Sequence, residues 1–400
     1  MKHFLKQDRL FPWSFNCAGN MKQLVVFSSL AVLVWSGCSL SDGDPAPAFR
    51  GLATLRLTLT PEELQTLTVN RNLNVFVAAD LVYDYPDRDV RRRWAIEMRN
   101  AGQFSRRFFK KNFHLQFPPE DRFFGKRILN LSAQPTDDTK LRSLVGYTVL
   151  QSAGFHVPEL EPVALYLNDE YQGLYYLIEP IDKEFFDRRG VPVSALFEAK
   201  LLEAQWEYTE GFNIRLGYNK LYPDDDNFSE LERLLRTITE ATPANLEVQL
   251  APIFDLSSYI TYQASMVVIQ NFDSWTNNFH LYHDDRTGTL RLQPWDVDHA
   301  YDTELDIYAP TVLNDLIVEN PLLRRRYLLK VLELLDGPAD PAGLQSLIRS
   351  RVPVLAEAYN RDPYHQAAGW TMEDRSRILE GQITAASQRL RAEAVRLLQP

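Results

Sequence analysis

The spacing of apolar residues changes once along this chain, near residues 179–183. Before this point short segments alternate apolar and polar residues, as in ATLRLTLT from Ala53 to Thr60, and this is typical of half-buried β-strands. After it, most segments repeat their apolar residues at helical spacing, as from Leu256 to Gln270. We therefore expect an α+β fold with a β-rich first half and a mostly helical second half.

The first half has the pattern of a sheet interrupted by one main helix. Further strands are predicted at residues 73–82, 91–98, 113–117, 163–167 and 174–178. The last two flank NDEYQG, whose polar residues are typical of a hairpin turn. The helix is predicted from Thr139 to Ala153, with Asp137 and Asp138 as capping candidates and Gly154 as its stop.

The second half carries one β-like island among its helices. Helices are predicted at residues 182–188, 229–240, 256–270, 321–335, 342–358 and 372–398. The island is two short strands, at residues 279–283 and 289–294, joined by a turn from Asp284 to Gly288. A β-rich lobe followed by a helical lobe with a hairpin is the layout of a protein kinase. We expect an N-lobe at residues 50–180 and a C-lobe at residues 181–400.

The amino terminus has the pattern of a targeting segment that starts at Met21. An apolar run at residues 24–35 follows one lysine, and it is shorter than the ~20 residues that a membrane-spanning helix needs. Ser36-Gly37-Cys38 resembles a bacterial lipobox, which predicts a signal peptide at residues 21–37, lipidation at Cys38 and a tether at residues 38–49. A plain secretory signal is the alternative. Residues 1–20 are interpreted as a non-native upstream extension.

This interpretation places the protein outside the cytoplasm as a lipoprotein held to the membrane by its lipid, at the outer membrane or in the periplasm of a diderm cell. The chain has two cysteines, Cys17 and Cys38, so the lipidated form has no second cysteine for an internal disulfide. The formal net charge of −10 offers no general electrostatic footprint for nucleic acid, and we expect no nucleic-acid partner.

The hairpin region contains the residue types that phosphoryl transfer needs. That reaction requires a carboxylate near the acceptor hydroxyl, groups that hold Mg²⁺ and a cation on the nucleotide phosphates. Asp273 precedes Asn278 by five positions, the spacing of the catalytic Asp and metal-binding Asn in the kinase H-R-D-x-x-x-x-N loop, although the His-Arg pair is absent. The hairpin then places Asp296 where a kinase has the metal-binding Asp of D-F-G.

Several segments resemble the spore-coat CotH family of atypical kinases over residues 75–305. They are FSRRFFKKNFHLQF, LRSLVGYTVLQSAG, VALYLNDEYQGLYYLIEPID, NFDSWTNNFHLYHD and LQPWDVDHAYD. The W-D-x-D element after an N-F-x-L-Y strand is the most specific of these matches. The resemblance implies a kinase-like fold, ATP with Mg²⁺ or Mn²⁺, and transfer of the γ-phosphate to Ser or Thr of secreted or surface proteins.

The resemblance also implies roles for individual residues. Asp273 is expected to orient the acceptor hydroxyl and accept its proton, while Asn278 and Asp296 are expected to bind metal. Asp298 would either coordinate a second metal or cap the following turn. Lys110 or Lys111 is expected to pair with the phosphates, and strand alternation does not choose between them.

A loop over the phosphates is expected to contain Arg99, Gly102, Gln103 and Ser105, which resemble the family's R-x-R-G-N-S-S segment. Ala101 replaces the second arginine and Phe104 the first serine, which weakens the expectation of nucleotide binding. Glu179 and Ile181 are expected at the hinge, where backbone groups can meet adenine.

Each of these residues also has a purely structural interpretation. Asp273 and Asp296 can cap turns, Asn278 can terminate a strand, and the two lysines can form a solvated pair. Arg142 either pairs with an acid in the cleft or lies on the surface. Trp295 is expected in the core.

The same residues fit other functions less well than a kinase. A structural Ca²⁺ site is conceivable at Asp296, Asp298 and Asp302, but the pattern lacks the glycine and distal glutamate of an EF-hand loop. A zinc site from His280, His283 and His299 is disfavoured, because alternation directs the first two to opposite faces of their strand. The main alternative is a catalytically inactive pseudokinase that acts as a surface binding module. The altered phosphate loop favours it, and the retained acids argue against it.

Overall fold

The computed structural model of the protein describes residues 49–102, 104–200, 204–211, 213–364 and 369–399. The expected upstream extension, the signal peptide, Cys38 and Gln103 lie outside these ranges. Within them, no helix combines the length and the apolar character needed to cross a membrane.

Seven strands of the first half form a closed barrel. They are β1 (Ala53–Thr58), β2 (Val77–Tyr85), β3 (Val90–Asn100), β4 (Phe113–Gln116), β5 (Ile128–Ser132), β6 (Leu160–Leu167) and β7 (Glu170–Ile178). Their order around the barrel is β1-β2-β3-β4-β5-β7-β6. Neighbouring strands are antiparallel except for β1 and β6, whose parallel pairing closes the barrel.

The alternating pattern of these strands explains the barrel interior. Every second side chain of a strand points to the same face, and the apolar ones, such as Leu55, Trp94 and Leu165, fill the interior. Burial of this kind stabilises the fold by roughly 25 cal/mol for each Å² of apolar surface. Sequence analysis missed β5, which is short, and placed β2 too early, because the exposed Leu73 lies before the strand.

Two helices lie among the strands, α1 (Pro61–Val69) and α2 (Arg142–Ser152). A capping box between Thr60 and Glu63 starts α1. The predicted helix at 139–153 is α2, and it begins later than expected. Asp137 accepts hydrogen bonds from the backbone N–H of Thr139 and of Arg142, at 2.8 and 2.9 Å, and so caps a bend before the helix.

In the described residues, the second half contains nine helices and a four-stranded sheet. The helices are α3 (Lys183–Arg188), α4 (Ile214–Gly217), α5 (Ser229–Glu240), α6 (Leu246–Leu250), α7 (Leu256–Val268), α8 (Val312–Glu319), α9 (Pro321–Asp336), α10 (Pro341–Asn360) and α11 (Met372–Leu398). The strands are β8 (Val193–Ala199), β9 (Tyr218–Tyr222), β10 (Phe279–Asp284) and β11 (Thr289–Pro294), in the order β11-β10-β8-β9.

The structure confirms the α+β class and the β10–β11 hairpin, which pairs Phe279 with Pro294 and Asp284 with Thr289. Strands β8 and β9 were not predicted. Strand β8 is buried on both faces, with Phe197 in the large helical core and Leu196 in a smaller cluster, so its sequence lacks clear alternation.

A buried ion pair connects the barrel to the segment after α10. The Lys110 ammonium donates to the Asp362 carboxylate and to the Leu174 carbonyl oxygen, and both charged side chains are almost fully buried. Asp362 also accepts from the Leu174 N–H at 3.1 Å. A Cβ atom at Gly173, where φ is +103°, would lie 2.0 Å from a carboxylate oxygen of Asp362. Only glycine therefore fits at this position of β7, which lies beside an irregularity in its pairing with β6.

We expect Asp362→Ala to lower the free energy of unfolding by roughly 3–5 kcal/mol, because it leaves the Lys110 charge buried without its partner. Asp336→Ala is the matched control, since Asp336 pairs with Arg391 at the surface and an exposed pair contributes at most about 1 kcal/mol. Urea unfolding of both variants measures the difference. Equal losses in the two variants would contradict the structural role of the buried pair.

Candidate active site

A cavity of 280 Å³ lies where the barrel loops meet the β10–β11 hairpin. The loop after β3 contributes Gly102 and Ser105, and the segment after β5 contributes Thr136. The hairpin and its flanks contribute Asp273, Asn278, Asp296 and Asp298. The structure thus brings together the four polar residues that the sequence assigned to catalysis and metal binding.

Asp273 lies in a short helical turn, Phe272–Ser274, just after α7. Its Oδ2 atom accepts hydrogen bonds from the side-chain amides of Asn278, at 2.9 Å, and Asn277, at 3.3 Å. Burial raises the pKa of the Asp273 carboxyl, and the donors from Asn277 and Asn278 partly offset this effect. The carboxylate is therefore held in one orientation at the cavity wall.

Asn278 and Asp296 occupy the two ends of the hairpin, and both have left-handed backbone conformations, with φ of +57° and +49°. Such values are uncommon outside glycine and often mark functional sites. The Asn278 amide also lies 3.4 Å from the Asp296 carbonyl oxygen, and the Trp295 N–H donates to the Asn278 carbonyl at 3.1 Å. One side chain thus links the loop of Asp273 to the segment of Asp296.

The environment of Asp296 disfavours its negative charge. The residue opens to solvent through the cavity, but protein surrounds its carboxylate on the other sides. This burial, together with the charges of Asp298 and Asp273, raises the pKa of Asp296 well above its usual value. A cation in the cavity would favour the ionised carboxylate.

The donor set suits a hard divalent cation. Carboxylate and amide oxygens are preferred by Mg²⁺, which is typically held by one or two carboxylates together with substrate phosphates. Asp296 and Asn278 supply such oxygens. In the part of the chain that the structure describes, no cluster of three or more His, Cys, Asp or Glu residues could hold a metal by itself.

Asp298 lines the same cavity and accepts a hydrogen bond from the Thr136 hydroxyl at 2.8 Å. Its role as a second metal ligand stays a prediction. Asp302, the third acid of the Ca²⁺ alternative, pairs instead with His299 at 3.1 Å and with Arg142 at 3.7 Å.

Helix α2 supports the segment that follows Asp296. The Asp296 N–H donates to the Tyr147 hydroxyl at 3.1 Å, and the buried Arg142 donates to the Ala300 carbonyl at 2.8 Å. A Cβ atom at Gly146 would lie only 2.8 Å from a methyl group of Val297. The absence of a side chain at Gly146 therefore allows the helix to approach the segment closely.

Lys110 and Lys111 were the candidates for the phosphate-pairing lysine, and neither lines the cavity. The Lys110 ammonium forms an ion pair with the Asp362 carboxylate, and burial lowers the pKa of Lys110 to about 7. The Lys111 ammonium donates to the carbonyl oxygens of Arg106, at 2.7 Å, and Phe108, within the loop after β3. In this structure both lysines bind protein groups, and their contact with phosphates stays a prediction.

The described part of the expected phosphate loop borders two cavities. Gly102 lines both the 280 Å³ cavity and a neighbouring cavity that is lined by Arg71, Arg106 and Arg107. Arg99 donates to Asn74 at 3.2 Å and packs over the Phe76 ring. Ser105 lines the first cavity, whereas Arg99 lines neither of the two.

Glu179 and Ile181 lie away from the cavity. The Glu179 carboxylate pairs with Arg188 and Arg189, and Ile181 is buried in an apolar cluster with Phe185. The cavity is bordered instead by β8, β9 and β10 residues, among them Glu198, Asn219 and His280, which sequence analysis did not assign to the site. For Glu198 the only signal was a polar residue inside the mostly apolar strand β8, and for Asn219 and His280 the sequence pattern gave none.

Two of the three histidines of the zinc alternative, His280 and His299, line the cavity, and His283 does not. His280 lines the cavity, and burial lowers its pKa to about 3. His283 pairs with Glu230, and His299 pairs with Asp302. Trp295, which was expected in the core, packs beside an apolar cluster and also lines the cavity.

Comparison with known proteins identifies the family. The model of the CotH kinase protein family matches residues 98–388, and the chain belongs to this family. The chain is 23% identical to inner spore coat protein H of Bacillus subtilis (strain 168) over 220 residues, which cover 54% of this chain and 61% of that protein. The match therefore spans less than two thirds of the relative's length.

Two solved structures also show a distant similarity. The proinflammatory kinase CtkA of Helicobacter pylori has a TM-score of 0.39 at 10% identity, covering 72% of this chain and 95% of CtkA. The toxin–antitoxin complex of HipA, HipB and operator DNA from Shewanella oneidensis MR-1 has a TM-score of 0.28 at 13% identity, covering 88% of this chain and 74% of the other.

The contact between α2 and Val297 predicts that Gly146→Val will displace the segment after Asp296. We expect a loss of about 1–3 kcal/mol in the free energy of unfolding, as for other overpacked sites. We also expect faster hydrogen exchange at residues 296–300, because the bond from the Asp296 N–H to Tyr147 weakens. Urea unfolding and exchange mass spectrometry measure the two effects.

Gly381→Ala is the control for this variant. Gly381 lies in α11 with no atom near its missing Cβ, so alanine should stabilise the helix by roughly 0.5–1 kcal/mol. If the backbone amides of residues 296–300 exchange hydrogen at the same rate in Gly146→Val as in the wild type, the close packing does not position Asp296.

Proposed function

We propose that this CotH family member is an active atypical protein kinase, which transfers the γ-phosphate of ATP to Ser or Thr of a secreted or surface protein. The observation that carries the proposal is the junction of Asp273, Asn278 and Asp296 in one cavity, with the Asn278 amide touching both acid-bearing segments. These are the three positions that phosphoryl transfer requires in the kinase arrangement.

Asp273 would act on the acceptor hydroxyl. Its Oδ2 atom is occupied by Asn277 and Asn278, which leaves Oδ1 to accept a hydrogen bond from a substrate hydroxyl. Burial raises the pKa of Asp273 and so makes the carboxylate a better proton acceptor. The two amide donors keep the carboxylate facing the cavity as the proton moves to Oδ1.

Asn278 and Asp296 would hold the divalent cation, Mg²⁺ or Mn²⁺. Because the Asn278 amide nitrogen donates to Asp273, its carbonyl oxygen is the group left for a metal. The bound cation would neutralise charge on the β- and γ-phosphates. The neighbouring Arg71, Arg106 and Arg107, on the other side of Gly102, add positive potential near the phosphate end of the cavity.

One observation favours the inactive alternative, a pseudokinase that serves as a surface binding module. Phe104 stands where the family has a serine, and its ring packs against Phe108 and under Arg107, so it offers no hydroxyl to a phosphate. Retention of the three polar positions in one cavity supports the active enzyme over this alternative.

We further propose that the kinase works outside the cytoplasm as a lipoprotein anchored through Cys38, with a protein substrate and no nucleic-acid partner. The support is the run from Met21 to Cys38, in which small residues precede the cysteine after an apolar segment. Lipidation there would tie the kinase to the membrane at the start of its tether.

We expect substitutions of Asp273 and Asp296 to have different effects, because the two acids have different roles. We expect Asp273→Asn to leave metal-dependent nucleotide binding largely intact and to reduce turnover by ~10²–10⁴, the usual effect of losing a positioned base. Asp296→Asn should weaken both binding and turnover, because charge on the phosphates is then poorly neutralised. Calorimetric titration with a non-hydrolysable ATP analogue and Mg²⁺, beside a phosphorylation assay, measures both quantities.

Asp285→Asn is the control, since Asp285 is exposed in the turn of the same hairpin. If both active-site variants bind and turn over like this control, the kinase proposal fails. Nucleotide binding without turnover in the wild type would instead support the pseudokinase.

A further inference from the structure

Five basic side chains gather around the loop after β3 without an acidic partner. They are Arg71, Arg99, Arg106, Arg107 and Lys111, and none of them forms an ion pair with another described residue. Burial and the charge of Arg106 lower the pKa of Arg99, and burial and the charge of Arg71 lower the pKa of Lys111. On a chain with a formal net charge of −10, this cluster is a local concentration of positive charge that is not neutralised from within.

Neutral oxygen atoms hold the two inner guanidinium groups in place. Nη1 of Arg99 donates to Oδ1 of Asn74 at 3.2 Å and to the Asn100 carbonyl oxygen at 3.1 Å. Nη2 of Arg106 donates to the same two acceptors, at 3.1 Å to the carbonyl, and Nη1 of Arg106 has no hydrogen-bond partner in the described part of the chain. These bonds orient the guanidinium groups and leave their charges free for an anion. The planar fork of arginine fits a carboxylate or a phosphate.

Three of the five cations line a cavity of 790 Å³ that adjoins the candidate active site. This arginine cavity is lined by Arg71, Arg106 and Arg107, and no acidic residue of the described ranges borders it. Gly102 lies at its edge and also borders the 280 Å³ cavity that holds Asp273. The proposed metal-binding residues line the second cavity and not the first. The arginine cavity therefore lies beside the expected position of the nucleotide phosphates and does not enclose it.

We propose that the arginine cavity binds acidic side chains of the protein substrate, carboxylates or phosphates, that lie close to the acceptor Ser or Thr. The inference rests on the proposed kinase function, since it presumes the acceptor hydroxyl at Asp273. An extended peptide advances ~3.3 Å per residue, so a substrate with its hydroxyl at Asp273 leaves the active-site cavity within a few residues. The shared edge at Gly102 places the arginines along one path out of that cavity. The kinase thus selects acidic acceptor sequences.

The shape of the arginine cavity favours a peptide over a membrane surface. Basic segments that bind anionic lipids act through a surface that faces the bilayer. Here Arg106 is half-buried and oriented inside a concave site, which admits single side chains. Arg71 and Arg107 are exposed at the same site and add attraction for an approaching anionic segment.

The test measures the binding of labelled peptides by fluorescence anisotropy, with Mg²⁺ and a non-hydrolysable ATP analogue present, and the phosphorylation of the same peptides with ATP. Each peptide has one acceptor serine, flanked by glutamate, phosphoserine, glutamine or lysine. The variants are Arg71→Gln and Arg106→Gln. Arg325→Gln is the matched control, because Arg325 is exposed in α9, lines neither cavity and has no ion pair among the described residues.

The wild type should bind and phosphorylate both acidic peptides better than the glutamine peptide, and the lysine peptide least well. Arg106→Gln should lower the ratio of affinities for acidic over glutamine peptides about tenfold, as for the loss of a charge-assisted hydrogen bond. The exposed Arg71 should contribute less, about threefold. The control should keep the wild-type ratio. The ratio isolates substrate recognition, because a change in the fold or in nucleotide binding affects all peptides alike. The tighter of the two acidic peptides shows whether carboxylate or phosphate is preferred.

Several results would overturn the inference. Equal affinity of the wild type for acidic and glutamine peptides would do so, and their phosphorylation would leave the kinase proposal standing. A wild-type ratio in both arginine variants would place acidic recognition elsewhere. With that ratio unchanged, a loss of affinity for the ATP analogue would assign the arginines to the nucleotide, and a loss of binding to phosphatidylglycerol vesicles would assign them to a membrane. Arginine-dependent binding of acidic peptides without phosphorylation would refute the kinase proposal, and with it the claim that these peptides are substrates.

Discussion

The side-chain amide of Asn278 organises the candidate active site. It donates to Asp273 and approaches the Asp296 carbonyl, so it joins the loop before the hairpin to the segment after it. The left-handed backbone at Asn278 and Asp296 allows the chain to turn sharply at both ends of the hairpin. The β10–β11 pairing between them then sets the distance between the two acids.

The rest of the molecule holds this hairpin against the barrel. Helix α2 contacts the segment after Asp296 through Tyr147 and Gly146, and the buried pair of Lys110 with Asp362 ties the barrel to the end of α10. These contacts connect residues that are far apart in sequence. The geometry of the cavity therefore depends on long-range packing as well as on the local motif.

The hairpin and its acids could be predicted because their contacts are local in sequence. Asp273, Asn278 and Asp296 lie within one short stretch, where alternation and turn residues indicate the structure directly. Six of the nine helices in the second half were predictable for the same reason, whereas α4, α6 and α8, each of at most eight residues, were missed. Strand β8 was not, because a strand buried on both faces loses its alternating pattern.

Long-range partners could not be predicted from spacing. Lys110 or Lys111 was expected to pair with the phosphates, yet Lys110 pairs with the carboxylate of Asp362, which is 252 positions away. Glu198 and His280 become neighbours only when β8 pairs with β10, a register that periodicity does not reveal. Glu179 was expected at the hinge because of the family resemblance, yet its carboxylate pairs with Arg188 and Arg189, nine and ten positions further along the chain.

The central claim is that this cavity transfers the terminal phosphate of ATP. The most direct measurement incubates the purified protein, from Gly43 onward, with Mg²⁺ or Mn²⁺ and with ATP labelled either at the γ- or at the α-phosphate. We predict incorporation of the γ-label into Ser or Thr of protein and none of the α-label. Incorporation of the α-label, or of neither label with either metal, would contradict the account.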